Sequence, residues 1–236
     1  MKLKIFKHII IVSLMLTMLS SIFINTTTAT STQPSTNNNT ALPDYIEGSI
    51  KVMYPDASEE KLAEVRAMWI EQLAINEQQI AKTNGAILKP QPITRALTYM
   101  SKTTSTCTSG GGTLTNPSYI TDMSDSKFAR FYTPGADQCA TIAGKMSDTA
   151  AGNYRVVAYR GTTSTGNYVV LWGSTTGNGG TWNAIGYVQI TSTGANQYYI
   201  GTISTAYAYV EAVCTTYLGG QATYNDVYID CIYVYY

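Results

Sequence analysis

The sequence predicts an all-β fold, an eight-stranded jelly-roll β-sandwich, preceded by a single amphipathic α-helix and a disordered tether. Three observations lead there. From about Ser101 onward, short runs of alternating apolar and polar residues are separated by Gly, Asn and Thr turns. Only one earlier stretch carries helical periodicity. The four cysteines, Cys107, Cys139, Cys214 and Cys231, all lie from residue 107 onward, an even number with no CxxC spacing.

Eight strands fall at 127–133, 138–145, 153–160, 167–173, 181–190, 197–203, 207–215 and 227–235, the number a jelly roll uses. Lettered B to I, they form one sheet in the order B-I-D-G and another in the order C-H-E-F. Cys139 then opens strand C and Cys214 closes its antiparallel neighbour H, within reach of each other. Cys107, ahead of B, is left to meet Cys231 on I. The expected disulfides are therefore Cys139–Cys214 and Cys107–Cys231, one of three connectivities that four cysteines allow.

The N-terminal half divides by composition. Lys2, Lys4 and Lys7 precede an apolar core from Ile9 to Ile24, about 16 residues against the roughly 20 a membrane span needs. Thr27-Thr28-Ala29 offers small residues at a cleavage site. Residues 1–29 are the expected signal peptide, the alternative being an uncleaved anchor, and the chain is expected outside the cell or on its surface. Residues 30–54 form the polar tether, with a glycosylation sequon at Asn38-Asn39-Thr40. The helix covers 55–84: Asp56 and Glu59 make a capping box, Leu62, Val65, Trp69, Leu73 and Ile80 fall along one face, and Asn84-Gly85 stops it. Residues 85–106 are a linker stiffened by Lys89-Pro90-Gln91-Pro92, and 107–236 are the sandwich. Such a helix must pack on something. It docks on the sandwich or on a second copy, or serves as a spacer, or is a removable propeptide; the spacer is preferred.

Charge and residue inventory exclude several chemistries. Fifteen basic residues balance fifteen acidic ones, and removing the three signal lysines leaves 12 against 15, near −3. That is no nucleic-acid footprint. No later stretch is long and apolar enough to span a membrane. The only histidine, His8, lies in the signal, so neither a Ser-His-Asp triad nor a His-ligated zinc site can form in the mature chain. Glu211 is the only glutamate of the sandwich, and Gly110-Gly111-Gly112 precedes no helix and is a turn. An enzyme is not expected.

Several short motifs carry a resemblance. They are Asn116-Pro117-Ser118-Tyr119-Ile120-Thr121, Ser124-Asp125-Ser126-Lys127-Phe128-Ala129, Ile142-Ala143-Gly144-Lys145-Met146, Ala151-Gly152-Asn153-Tyr154, and Val227-Tyr228-Ile229-Asp230-Cys231-Ile232-Tyr233-Val234. Over about residues 115–236 the chain resembles the galactose-binding-like jelly-roll modules of exported and cell-surface proteins, particularly of methanogenic archaea. The resemblance implies carbohydrate binding, surface adhesion or attachment of other domains. It also implies a structural calcium where the opening loop meets the last strand, held by Asp125 and Asp230 with Asn116 or Asp122 helping; oxygen ligands from several loops suit that ion. The plainer alternative has Asp125 capping a turn and Asp230 facing solvent. No other cofactor is expected.

In a jelly roll the B–C, D–E, F–G and H–I loops gather at one end. Here they carry Tyr132, Asp137, Arg160, Asn196, Tyr217, Gln221 and Asn225, while the opposite end carries Asp148, Asn178 and Trp182. Aromatic faces with convergent donors and amides are what a sugar site combines. Tyr132, Arg160, Tyr217, Asn225 and Trp182 are the expected ligand-binding set; Trp172, among Val169, Val170 and Leu171, is expected in the core. Sixteen of the nineteen tyrosines follow Ser101, which suits both recognition and half-buried strands. Tyr233-Val234-Tyr235-Tyr236 would make a pairing edge. The expected function is a non-catalytic binding module for carbohydrate or another cell-envelope component. The alternatives are a structural protein that self-associates into a surface coat or fibre, and a hydrolase with a helical propeptide.

Overall fold

A computed structural model describes residues 41–90, 98–121, 123, 126–163, 166–216 and 224–235. The strands are β1 (Thr98–Ser109), β2 (Thr113–Thr115), β3 (Ala129–Thr133), β4 (Cys139–Arg160), β5 (Tyr168–Ser174), β6 (Asn183–Gln189), β7 (Asn196–Thr215) and β8 (Asn225–Tyr235). All their pairings are antiparallel.

The long strands β4 and β7 each serve two sheets. The first part of β4 pairs with β1 and the last part of β7, and β5 and β6 follow on that side. The last part of β4 pairs with β8 and the first part of β7, and β3 lies beyond β8. The breaks come where the β4–β7 register shifts, between Lys145 and Gly152. Taking β3 as B, the halves of β4 as C and D, β5 and β6 as E and F, the halves of β7 as G and H, and β8 as I, the sheets are B-I-D-G and β1-C-H-E-F. The expected strand order is met, although C–D and G–H are continuous bent strands rather than pairs joined by loops.

The inter-sheet core takes alternate residues of these strands, among them Phe131, Ile142, Tyr154, Val156, Leu171, Ile200, Ala212, Ile229 and Ile232. Alternation slips once in β8. Val157 pairs with Cys231 and Ala158 with Ile229, so Asp230 is the extra residue of a β-bulge. Val227 and Ile229 therefore face the core before the bulge, and Ile232 and Val234 after it.

The N-terminal half departs from expectation in three places. Residues 44–53, expected in the tether, form helix α1 (Asp44–Met53), with Asp44 and Glu47 in the first turn and Lys51 in the last, as the helix dipole favours. Helix α2 (Glu59–Lys82) is capped by Ser58, whose Oγ accepts from the Lys61 N–H at 3.3 Å, instead of by Asp56. Asn84 and Gly85 end it as expected, both at positive φ. β1 occupies 98–106, expected as linker; it is a largely exposed edge strand of Thr and Ser, so it carries no apolar alternation to betray it.

Both helices lie on the outer face of the C-H-E-F sheet. Ile46, Ile50, Tyr54, Val65, Trp69 and Leu73 pack on Val170, Trp172, Ala184, Tyr187 and Val213, with the Trp69 and Trp172 rings edge to face at 5.0 Å. Trp172 is buried as expected, but in this helix-to-sheet layer and not between the sheets. Asn76 pins α2 across two strands: its Nδ2 donates to the Ile185 carbonyl at 2.9 Å and its Oδ1 accepts from the Thr202 N–H at 2.8 Å. Glycine is required beside it, since a Cβ on Gly186 would stand 2.2 Å from Ile200 O and one on Gly201 2.1 Å from Ile185 O.

Beyond α2 the chain turns to the B-I-D-G sheet. There the buried Arg155 guanidinium donates to the Ile87 carbonyl and, at 3.1 Å, to that of Lys89. Among the described residues no helix is long and apolar enough to cross a membrane.

None of the four cysteines is joined in a disulfide, so neither expected bridge is present. The reason is one of phase. Cys214 pairs with Ala140 and faces the core, whereas Cys139 pairs with Thr215 and points to the other side of the same sheet. Cys231 is buried on the outer face of B-I-D-G, and Cys107 is exposed on β1, next to C.

Candidate recognition site

The loops gather at one end, tied by backbone and side-chain bonds. The Asp137 N–H donates to the Thr216 carbonyl at 3.3 Å, joining B–C to H–I. The Gly161 N–H donates to Asp226 O at 2.7 Å, joining D–E to I, and the Arg160 N–H donates to Ser192 O at 2.9 Å, joining D to F–G. Two amides complete the clamp. Asn225 Oδ1 accepts from the Asn167 and Tyr168 N–H groups and its Nδ2 donates to Thr215 O, while Asn167 Oδ1 accepts from the Asp226 N–H.

On this frame stands a row of outward side chains from three neighbouring strands. Because Phe131 and Val227 face the core, Arg130 and Tyr132 on B and Asp226 and Tyr228 on I face out, in register as Arg130↔Tyr228 and Tyr132↔Asp226. Arg130 binds Asp226 bidentately, Nε to Oδ1 at 2.7 Å and Nη2 to Oδ2 at 3.0 Å. The guanidinium lies 4.5 Å from the Tyr132 ring centre and 5.4 Å from that of Tyr228. Tyr228 stacks on Tyr159 at 4.5 Å, and Phe128 meets Tyr159 edge to face at 4.8 Å. At the other end Tyr224 stands edge to face with Tyr132 and donates its hydroxyl to the Tyr132 oxygen at 3.2 Å.

The electrostatics follow from these contacts. The hydrogen bond to Asp226 raises Arg130 above its usual range, so the guanidinium stays charged at every ordinary pH. Partial burial raises the Tyr159 and Tyr228 phenols, and the bond to Tyr132 pushes Tyr224 up to about 12. The phenols of Tyr159, Tyr224 and Tyr228 are therefore neutral donors and acceptors at neutral pH. Arg130 and every ring of the row are only half-buried, while Asp226 is buried.

The expected site residues meet different fates. Tyr132 belongs to the row. Arg160 lies at the same end, half-buried, with a buried Nε that has no hydrogen-bond partner among the described residues. Asn225 is 1% exposed with its amide engaged by backbone, so it holds loops together instead of offering itself to a ligand. Trp182 is at the far end, 7% exposed, where its carbonyl accepts from Tyr54 at 2.6 Å. It lines a cleft of about 250 Å³ with Tyr54, Lys61, Met68 and Asn183. Tyr217 and Gln221 lie outside the described residues. Arg130, Asp226, Tyr228, Tyr159 and Tyr224 were not foreseen; their signal was the i, i+2 spacing of Arg130–Tyr132 and Asp226–Tyr228 on strands already expected to be neighbours.

For the calcium set, Asp230 is buried in the β8 bulge and not facing solvent, and Asn116 sits exposed at a positive φ of 51°. Asp122 and Asp125 lie outside the described residues. Among the described residues no three acids, cysteines or histidines gather as a metal group.

No family model and no curated protein matches the chain. Among solved structures, the C-terminal domain of a chitobiase from Bacteroides fragilis is similar at 18% identity and a TM-score of 0.38, over 58% of this chain and 99% of that one. A chitosan-binding module of a Paenibacillus chitosanase/glucanase is similar at 15% identity and a TM-score of 0.35, over 58% and 96%. The CBM32-1 and CBM32-2 domains of Clostridium perfringens ZmpB are similar at 11% identity and a TM-score of 0.40, over 58% and 36%. Likenesses at this level assign neither family nor ligand, and these three, all bacterial, lend nothing to an archaeal type.

Proposed function

We propose that the chain is an exported or surface-attached, non-catalytic recognition module that binds carbohydrate or another cell-envelope component at the loop end of its sandwich. The observation that carries this is the Arg130–Asp226 pair set between Tyr132 and Tyr228, with Tyr159, Tyr224 and Phe128 alongside. Half-exposed rings supply area for sugar C–H groups, and phenols and guanidinium supply directional bonds. The frame beneath is rigid because buried amides hold it.

The rival readings lose support from the helix layer. The apolar stripe of α2 is spent on the sheet, so it is not available to drive assembly of copies. Removing the helices as a propeptide would uncover Val170, Trp172, Tyr187 and Val213. Glu211, the glutamate a hydrolase would need, lies on the C-H-E-F sheet away from the aromatic row.

The test is retention of the full chain on a glycan array and in affinity electrophoresis, with and without chelator. Tyr132→Ala and Tyr228→Ala are each expected to weaken retention roughly tenfold, the scale of one lost aromatic contact. Retention on no glycan, or equal retention by both variants, would reject the site. Loss of retention in chelator would support a calcium held by Asp230 with Asp125 and Asn116 or Asp122.

A further inference from the structure

We propose that Cys107 and Cys139 form a disulfide joining the edge strand β1 to β4 on the outer face of the sandwich. Of the four thiols, only these two share a face on neighbouring strands. The register places Cys107 opposite Thr141 and Ser109 opposite Cys139, so the cysteines are diagonal neighbours, each two residues from the other's partner. Cys214 looks into the core from the same sheet, and Cys231 lies on the outside of the other one.

Local geometry favours closure. Diagonal neighbours in a sheet stand about 7–8 Å apart at Cα, and a disulfide spans up to about 6.8 Å, so an approach of roughly 1 Å is required. It falls where β1 ends at Ser109 and β4 begins at Cys139, next to the turn at Gly110 and Gly111, where strand ends yield most readily. Cys139 Sγ already lies 3.0 Å from Ser109 Oγ, at the β1 edge. Cys107 is exposed and open to an oxidant, while Cys139 is buried.

The reaction is thiol–disulfide exchange. The Cys107 thiolate attacks a low-molecular-weight disulfide such as glutathione disulfide, expelling one glutathione thiolate and leaving a mixed disulfide. Cys139, losing its proton, attacks Cys107 Sγ and expels the second. The two cysteines together give up two electrons and two protons, and the disulfide reagent takes them up as two thiols.

The test uses the purified full-length chain equilibrated with glutathione disulfide, unfolded in acid, alkylated and digested without reduction. The expected result is one joined pair of peptides bearing Cys107 and Cys139, with Cys214 and Cys231 alkylated and the intact mass lower by two hydrogens. Cys107→Ser should return Cys139 to the alkylated or glutathione-bearing pool. A folded chain in which both cysteines stay alkylated or glutathionylated separately, or in which either joins Cys214 or Cys231, overturns the proposal. Because oxidation is done on pure protein, failure of the export reading leaves this result intact and distinguishable.

Discussion

Asn225 holds the backbone of Asn167, and Asn167 holds that of Asp226, the residue after Asn225: Asn225 Oδ1 accepts from the Asn167 N–H at 2.5 Å, and Asn167 Oδ1 accepts from the Asp226 N–H at 2.9 Å. Asn167 reaches this geometry in the left-handed region, at a φ of 67°, where Asn is among the tolerated residues. The exchange fixes the D–E loop against the first residues of β8, and so sets where Asp226 holds Arg130.

Asn225→Ala is expected to cost stability. It strands the Asn167 and Tyr168 N–H groups and the Thr215 carbonyl, and unsatisfied buried groups cost about 1–3 kcal/mol each, so a total of roughly 2–4 kcal/mol follows with partial rescue by water. Urea unfolding measures it. Unchanged stability would mean that the amide is free for a ligand after all.

Trp69→Ala tests whether the helices belong to the sandwich. The indole is fully buried against Trp172, and its truncation should cost about 3–5 kcal/mol. Far-ultraviolet dichroism and tryptophan fluorescence should still report one transition, at a lower midpoint. A separate early helix transition, with the sandwich midpoint unmoved, would make the helical layer a detachable unit.

Glu211 gives a pH signature. Burial raises its carboxyl, partly opposed by a hydrogen bond with Thr141, so folding favours the protonated form. The folded chain holds this proton more tightly than the unfolded one, and stability from this group falls as pH rises from the ordinary carboxylate range through the raised value. Glu211→Gln should therefore stabilise the protein at neutral pH and lose that advantage in acid. Denaturation midpoints across the acid-to-neutral range check the sign; a variant less stable at neutral pH would show that the charge is compensated.

Strand order was legible because alternation marks all eight lettered stretches, each of which falls on an observed strand segment, and antiparallel neighbours follow from jelly-roll wiring. Phase was not. The disulfide Cys139–Cys214 required only nearness along neighbouring strands, yet a one-residue offset in register sends the two sulfurs to opposite faces. Helix α1 escaped notice because Gly48 and Ser49 weaken its propensity; packing of Ile46 and Ile50 decides it. For the site, Tyr132 could be found because it closes a strand beside a loop. Arg130 and Asp226 look like ordinary solvent-facing charges until the register puts them together, and Asn225 looks like a free donor until its buried partners are seen.

The grip of Arg155 on the Ile87 and Lys89 carbonyls means that the polypeptide clasps the sandwich from two sides, helices over one sheet and a short strap on the other. Tension applied through the N-terminal segment would first work against the seam of Trp69, Trp172 and Asn76 and leave the Arg130 row, on the far sheet, undisturbed. A module tethered in this way could bear load at one surface while keeping its contact surface at rest.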